Sequence, residues 1–577
     1  MTRAHAVARE VSRPLLAGAF AVTLAPCGGG TARPRAEQDP PALAASTSLG
    51  ATPSTPARPA GAGGVVMTLR CKAPTHPISP LIYGIGVQPT RDLPDQWQLG
   101  ATARRWGGNH TTRYNWELGN AWNTGKDWFF KNVDYDHRPE PAHLRFIEDG
   151  VAHGVTTVLT VPMIGWVAKD TTSYAFPVSV FGPQIATAPE NADAGNGVAR
   201  GGALVTPGPA GRTSVPARPS DIGRWVRALR EQREVRKSGA ARTYILDNEP
   251  TLWSETHRDV HPEPVSYDEL LEKTVSYATE IRRADPEALV AGPALWGWTA
   301  YFSSGVDKAA YPAHPDRDRH GGVPLLPWWI GEIASHEKRT GIRLVDLVDV
   351  HFYPQGRGIG VGLVGETDRD TAARRIRSTR ALWDPTYVDE SWIADKVRLI
   401  PRLKAWIAEK HPGLGISIGE YNFGAEGHMS GGLAVAEALG RFGEQGITSA
   451  FYWDYPARNT PAAWAFRAYR DFDGRGGRFL DESVPAESSD SRASIFASRD
   501  ARGDHLVVVL LDLDPTAPVE ARMDARACGR VVSQARFVYA AGTPGFAQTA
   551  PEPAGPSQIT LPPYSITVLD LHVAPDP

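Results

Sequence analysis

Short apolar runs alternate with longer amphipathic segments through the middle of the chain. Between several runs, apolar residues recur three or four positions apart, as in 220–239, 267–286 and 395–413, which is the spacing of a helix packed on one face. Strands separated by helices predict a (β/α)8 TIM barrel, here over residues 81–480. A doubly wound open sheet is disfavoured because no glycine-rich phosphate turn follows the first strand. The eight apolar runs with the length of strands are LIYGIG (81–86), ARRWGGN (103–109), TTVLTVP (156–162), TYILDNE (243–249), ALVAGPA (288–294), LVDLVDVHFY (344–353), GISIGEY (415–421) and ITSAFYW (447–453).

The pattern changes near Arg492 to short alternating strands without intervening helices. Residues 481–577 therefore read as a C-terminal β-sandwich. An early strand-like run lies within residues 63–80 and would add to this domain, so that the sandwich is formed from both ends of the chain. Cys71 and Cys528 would then share one domain, which permits a disulfide; two unrelated buried thiols are the alternative.

Loop lengths differ between the two faces of the predicted barrel. Helix-to-strand turns are short, whereas strand-to-helix loops are long at 163–219, 250–265, 295–327 and 354–392. Chemistry in such barrels lies on the face built by the strand-to-helix loops. Many of the 17 tryptophans fall there, which favours ligand platforms over core filler. They are Trp106, Trp116, Trp122, Trp128, Trp166, Trp253, Trp296, Trp298, Trp328, Trp329 and Trp453.

Residues 1–27 have the pattern of an export signal, with three arginines before an apolar run that is too short to span a membrane. TLAPCGGG places Cys27 at a lipoprotein-type cleavage site, although Pro26 stands where a small residue usually precedes the cysteine. Residues 28–62 are predicted to form a flexible tether. We therefore expect an exported, extracellular or cell-surface (periplasmic) protein whose only membrane contact is a lipid on Cys27. A net charge of −3 argues against nucleic acid as a partner, and we expect a monomer.

Two glutamates end predicted strands on the loop-rich face: Glu249 ends strand four and Glu420 ends strand seven. Glycoside hydrolysis uses such a pair, one as acid and one as base or nucleophile. A single strand-end glutamate is more often an ion-pair partner, so the hypothesis depends on the pair. No nucleotide-binding, zinc-protease or serine-hydrolase motif is present, and no metal ligand set is predicted. The residues expected to bind substrate beside the pair are Arg105, Asn109, Asn248, His351, Tyr353 and Trp453.

Five segments together resemble glycoside hydrolase family 44, a family of the retaining barrel clan A. They are RWGGNHTTRYNW (105–116), DAGNGV (193–198), LDNEPTLWSETHRDVHP (246–262), VDVHFYPQ (348–355) and GEYNFGAEGHMSGG (419–432). The resemblance implies a barrel with a sandwich built from both chain ends, Glu249 as acid/base and Glu420 as nucleophile. It also implies a glycan cleft lined by Arg105, Trp106 and Asn109, with no required cofactor and a structural calcium ion in some relatives.

The sequence therefore predicts a secreted retaining endo-β-1,4-glucanase or xyloglucanase that hydrolyses plant cell-wall β-glucans. An endo-hydrolase of the same clan acting on xylan or mannan is an alternative, because loops set the sugar preference. A non-catalytic glycan-binding surface lipoprotein is a second alternative, disfavoured because both glutamates are present. A structural or adhesion protein is a third, and it would leave the polar, aromatic barrel mouth unexplained.

Overall fold

A computed structural model describes residues 64–91, 93–135, 137–236, 241–550 and 558–574. The predicted export signal (1–27) with Cys27 and the whole tether (28–62) lie outside the described residues and stay predictions. Among the described helices, none is both long enough and apolar enough to cross a membrane.

The described strands number 25 and divide between a barrel, a sandwich and small hairpins. In chain order they are β1 (Val65–Leu69), β2 (His76–Pro77), β3 (Gly84–Val87), β4 (Ala103–Trp106), β5 (Trp122–Asn123), β6 (Asn132–Val133), β7 (Thr156–Val161), β8 (Trp166–Ala168), β9 (Thr187–Ala188), β10 (Asn191–Gly195), β11 (Ser214–Pro216), β12 (Thr243–Leu246), β13 (Leu289–Leu295), β14 (Leu347–Phe352), β15 (Gly415–Tyr421), β16 (Ser449–Tyr452), β17 (Glu482–Val484), β18 (Ala486–Ser488), β19 (Ala493–Arg499), β20 (His505–Asp512), β21 (Val519–Asp524), β22 (Arg530–Ala540), β23 (Ala547–Gln548), β24 (Gln558–Leu561) and β25 (Ser565–Ala574).

The described α-helices lie between Ala142 and Arg470, within the barrel part of the chain. They are α1 (Ala142–Ala152), α2 (Val178–Phe181), α3 (Pro219–Arg236), α4 (Trp253–Thr256), α5 (Tyr267–Ala284), α6 (Gly305–Ala310), α7 (Pro315–Arg319), α8 (Leu325–Thr340), α9 (Arg369–Ser378), α10 (Arg380–Trp383), α11 (Leu399–Lys410), α12 (Met429–Glu444) and α13 (Pro461–Arg470). Short 3-10 turns span Pro80–Tyr83, Pro89–Arg91, Pro94–Leu99, Asn109–Arg113, Gly125–Trp128, Ala210–Arg212, Pro250–Leu252, Trp298–Tyr301 and Arg526–Cys528.

Eight parallel strands close into a barrel in the order β12-β13-β14-β15-β16-β3-β4-β7, which confirms the predicted (β/α)8 fold. Each of the eight apolar runs supplies one strand. The first begins later than predicted, because the 3-10 turn Pro80–Tyr83 occupies the first half of LIYGIG. Small apolar side chains from alternate strand positions fill the barrel interior, among them Ala103, Val158 and Ile245. The barrel floor is therefore packed, and polar side chains gather only at its open end.

The second domain is a β-sandwich of two sheets. One sheet has the order β18-β1-β21-β24, and the other has the order β2-β17-β19-β20-β25-β22-β23. Strands from residues 65–77 thus lie among strands that begin at Glu482. A disulfide joins Cys71 to Cys528, which is the pairing that the shared domain permits.

Helix α12 joins the barrel to the sandwich. Nearly all of its residues are buried, because one side packs on the barrel and the other on β19, β20 and β25. Gly440 lies against the ring of Phe496, where an added Cβ would stand 2.4 Å from the ring. Val507, Val509 and Ile566 from the sandwich belong to the same buried cluster as the barrel helices. The two domains therefore share one core.

Candidate active site

Glu420, near the end of β15, is held by hydrogen bonds on both carboxylate oxygens. Arg105 Nη1 donates to Oε1 at 2.6 Å, and Tyr353 Oη donates to Oε2 at 2.7 Å. Burial alone would raise the pKa of Glu420. The positive charges of His351 and Arg105, with these hydrogen bonds, outweigh burial and lower the pKa below its ordinary value. The group is therefore ionised at neutral pH, as a nucleophile requires.

Glu249 follows β12 and starts the turn Pro250–Leu252, with a left-handed backbone at φ 49°. Its amide donates to the carbonyl of Ala294 on the neighbouring strand at 3.0 Å. The side chain is 16% exposed, which leaves one side open to the mouth. One oxygen of Glu249, one of Glu420 and a ring nitrogen of His351 all lie within 4.8 Å of one another. Separations near 5 Å between two carboxyl groups are typical of retaining glycosidases.

His351 on β14 lies between the two glutamates. Its Nδ1 is 2.9 Å from Glu249 Oε1 and 3.5 Å from Glu420 Oε2. Burial opposes the charge on the imidazole, but Glu420 and Glu249 outweigh it and raise the pKa of His351. Below this ring, Asp349 is wholly buried, with Oδ1 4.0 Å from His351 Nε2. Burial raises the pKa of Asp349, although Arg105 and His351 act against it.

A series of hydrogen-bonded side chains links Glu420 to the loop after β4. The Arg105 guanidinium also donates from Nη2 to Asn248 Oδ1 at 3.0 Å. Asn248 Nδ2 donates to Asn109 Oδ1 at 3.1 Å, and Asn109 Nδ2 donates to Asp127 Oδ2 at 3.0 Å. These hydrogen bonds fix the Asn248 amide beside Glu249, where it can bind a sugar hydroxyl.

Trp453 follows β16 and covers two glycines at the mouth. An added Cβ on Gly86 or Gly108 would lie 2.6 Å or 2.7 Å from the indole. Gly108 also has φ 92°, which favours glycine. The indole therefore packs closely on backbone from β3 and from the segment after β4.

The predicted role of Trp106 in the cleft is wrong. Successive residues of a strand face opposite sides, so Arg105 points into the barrel and Trp106 points out of it. Trp106 is 3% exposed and packs against Tyr114, Trp122 and Phe146 between barrel and helices.

The wider prediction of tryptophan platforms holds for only part of the set. Trp122, Trp253 and Trp329 are fully buried in the core, and half-buried Trp116 stacks on buried Trp225. Trp128 is 37% exposed. The half-buried remainder are Trp166, Trp296, Trp298, Trp328 and Trp453.

Three residues near the site were missed by sequence reasoning. Asp349 lies two positions before His351 on the same strand, so strand alternation alone places it on the inner face. Trp392, in a long loop, is 52% exposed, and its indole donates to Gln355 at 3.4 Å. Asp127, the partner of Asn109, lies in a short turn, and no sequence signal marks it.

The structural calcium ion that the resemblance implies for some relatives stays a prediction. Calcium takes six to eight oxygen ligands. Groups of three or more potential side-chain ligands converge at two places among the described residues, and both contain imidazole. Neither group fits calcium, so no step is assigned to that ion.

The sequence and the fold resemble those of known proteins. The family model for glycoside hydrolase family 44 matches residues 121–356. The crystal structure of CelM2, a bifunctional glucanase-xylanase from a metagenome library, is 35% identical with a TM-score of 0.82, and the match covers 89% of this chain and 99% of that one. The chain belongs to glycoside hydrolase family 44. A Paenibacillus polymyxa xyloglucanase of family 44, solved with xyloglucan, is 27% identical with a TM-score of 0.73, over 88% of this chain and 100% of that one.

A curated relative of this family 44 chain is Endoglucanase A of Paenibacillus lautus, 31% identical over 490 residues, which are 80% of this chain. The chain spans 65% of the length of that relative and 35% of the length of a second curated relative.

Proposed function

We propose that the chain is a retaining endo-β-1,4-glucanase that acts on plant cell-wall β-glucans, including xyloglucan. The observation that supports this most directly is the approach of Glu249 and Glu420 within 4.8 Å, with His351 between them. The names of the relatives, an endoglucanase and a xyloglucanase, support the substrate class.

In the proposed first step, ionised Glu420 attacks the anomeric carbon while Glu249 gives its proton to the glycosidic oxygen. The carbon–oxygen bond breaks, the sugar chain leaves as an alcohol, and Glu420 holds the remaining sugar as an ester. Arg105 and Tyr353 stabilise Glu420 as a carboxylate before the attack. In the second step the Glu420 carboxylate is the leaving group, and the same two residues donate hydrogen bonds to it again.

In the second step, Glu249 as a carboxylate takes a proton from water, and the water oxygen attacks the anomeric carbon. The ester bond to Glu420 breaks, and the product keeps the β configuration. Asn248 is proposed to hold the hydroxyl of the reacting sugar next to the bond that breaks. Trp453 is proposed to lie under the ring of that sugar.

The test compares the parent chain with Glu420→Ala and Glu249→Ala on xyloglucan. We expect a fast loss of viscosity with the parent, and a fall of about 10⁴-fold or more in kcat with Glu420→Ala. Glu249→Ala should cleave an aryl glycoside with an acidic leaving group far better than xyloglucan, because such a group leaves without a proton. Glu234→Gln, an exposed glutamate on α3, is the matched control.

Two further measurements separate the alternatives. The anomer released first, followed by NMR, should be β; an α product would contradict retention. Xylan and mannan serve as parallel substrates, and the CelM2 likeness makes xylan the second candidate. Binding of all glycans without release of product would favour the glycan-binding lipoprotein instead.

We also propose export, with a lipid on Cys27 and a monomeric state. The export and the lipid are proposed from the pattern of residues 1–27. Labelling with a radioactive fatty acid in a bacterial host, compared with Cys27→Ala, tests the anchor.

A further inference from the structure

Two histidines and an aspartate meet on the sandwich, in the part of the chain outside the barrel. His505 on β20 is the cross-strand partner of His572 on β25. Asp570 lies two residues before His572 and so shares its face of the sheet. The two imidazole rings stack with centroids 4.6 Å apart, and His505 Nε2 is 2.6 Å from Asp570 Oδ1. One potential ligand atom from each residue lies within 4.8 Å of the other two.

The backbone under these side chains is held on both sides. β20 and β25 pair through eight consecutive residues, and β25 also pairs with β22 along its whole length. Ala535 and Ser533 on β22 stand opposite Asp570 and His572, and both are small. The three side chains are therefore fixed at their bases while space remains above them.

The surroundings favour a cation. Asp500 and Asp504 lie in the turn before β20, where Arg502 pairs with both. Among the described residues, the carboxylate of Asp570 forms an ion pair only with the imidazole of His505. His505 and Asp570 side chains are 26% and 30% exposed and His572 is exposed, so an ion can enter from solvent.

We propose that His505, Asp570 and His572 form a binding site for a divalent transition-metal ion of the zinc type. Imidazole nitrogen with carboxylate oxygen is the donor set that zinc, nickel and copper prefer over calcium or magnesium. Zinc–ligand bonds are about 2.0–2.2 Å long. Side-chain rotations that move the ligand atoms of the three residues by about an ångström would bring them within bonding distance of one ion. Binding displaces any proton on the coordinating nitrogens, and water completes the coordination.

This site is separate from the cluster of Glu249, His351 and Glu420. That cluster already holds the positive charge of Arg105 on Glu420, which repels a second cation. An ion on the sandwich would instead tie β20 to β25, and its stabilising effect would follow its concentration.

The test is calorimetric titration of the whole chain with Zn²⁺. We expect one tight ion per chain, lost or weakened at least about tenfold in His572→Ala and in Asp570→Asn. His137→Ala is the matched control, because His137 is 83% exposed beside Asp134 and belongs to neither group of converging potential ligands among the described residues. Zn²⁺ should raise Tm in the parent and in the control, but not in His572→Ala.

Glycan cleavage and metal-free Tm should be the same in His572→Ala as in the parent, which shows that the variant is folded. Ca²⁺ in place of Zn²⁺ should not compete. Equal zinc affinity in His572→Ala and the parent would overturn the proposal, as would a parent that binds no zinc below millimolar concentrations.

Discussion

Tyr353 tunes the acidity of the proposed nucleophile through a single hydrogen bond. Its hydroxyl donates to Glu420 Oε2 at 2.7 Å and helps to lower the pKa of that carboxyl. Tyr353→Phe removes the donor, so the pKa of Glu420 should rise. Activity appears as pH rises through this pKa, because the ionised form attacks. The acid limb of the kcat/KM profile should therefore move to higher pH.

The size of this shift follows from the strength of the bond. Hydrogen bonds to charged groups contribute about 1.5–3 kcal/mol, and one pKa unit corresponds to about 1.4 kcal/mol, so a shift of about one to two units is expected. Tyr311→Phe, at an exposed tyrosine, is the control. An acid limb at the same pH in Tyr353→Phe would contradict the role of the hydroxyl.

At the residue scale, the sequence predicted that Glu249 and Glu420 share one mouth, and the structure brings them together, but it did not predict the direction of every side chain. Glu249 and Glu420 stand out because glycoside cleavage needs two carboxyl groups on the same mouth. Trp106 has a suitable side chain but the wrong direction, and alternation with Arg105 already contains that information. Asp127 reaches Asn109 across a turn, and that contact follows only from the three-dimensional path of the chain.

Among the elements, β1 is fixed to the sandwich by pairing and by a covalent bond. It pairs with β21 in parallel and with β18 in antiparallel register, and Cys71 just beyond it bonds to Cys528. The double substitution Cys71→Ser/Cys528→Ser should cost about 2–5 kcal/mol of folding free energy, because the unfolded chain regains its freedom.

Calorimetry measures this cost as a lower Tm, with cleavage at low temperature unchanged because the disulfide lies outside the mouth. A reductant should lower Tm of the parent to that of the double variant and leave the variant unmoved. Equal Tm for the oxidised parent and the variant would show that the bond does not contribute.

Element prediction was best in the barrel, where an apolar run and an amphipathic helix repeat. The predicted helices 220–239, 267–286 and 395–413 match α3, α5 and α11 within a few residues at each end. The long loop 163–219 instead contains the small strands β8 to β11 and the short helix α2. Two- to five-residue strands have too few side chains for alternation to be visible, so sequence alone left them as loop.

At the scale of the whole molecule, the shared core predicts that barrel and sandwich unfold together. Gly440→Ala should push α12 away from Phe496 and lower the free energy of unfolding by about 1–3 kcal/mol. This loss occurs although alanine favours helix over glycine by about 1 kcal/mol. Gly201→Ala, with open space around it, is the control.

Two probes report on the two domains separately. All 17 tryptophans lie between Trp97 and Trp464, and among the described residues only Trp464 has its ring against sandwich rings, those of Tyr539 and Phe546, so their fluorescence follows mainly the barrel. Amide exchange in β20 and β25 follows the sandwich. Both should shift to the same lower denaturant midpoint in Gly440→Ala, whereas two separate transitions would contradict a common core.

The position of β1 between β18 and β21 also determines when the sandwich can form during synthesis of the chain. Ribosomes deliver Val65, Met67 and Leu69 early, but the strands that bury them are translated more than 400 residues later. Until then this strand has two open edges and an uncovered apolar face, a state in which unpaired strands adhere to other chains. The sandwich therefore folds late. Chaperones that bind β1 until its partner strands are made should determine the yield of soluble protein.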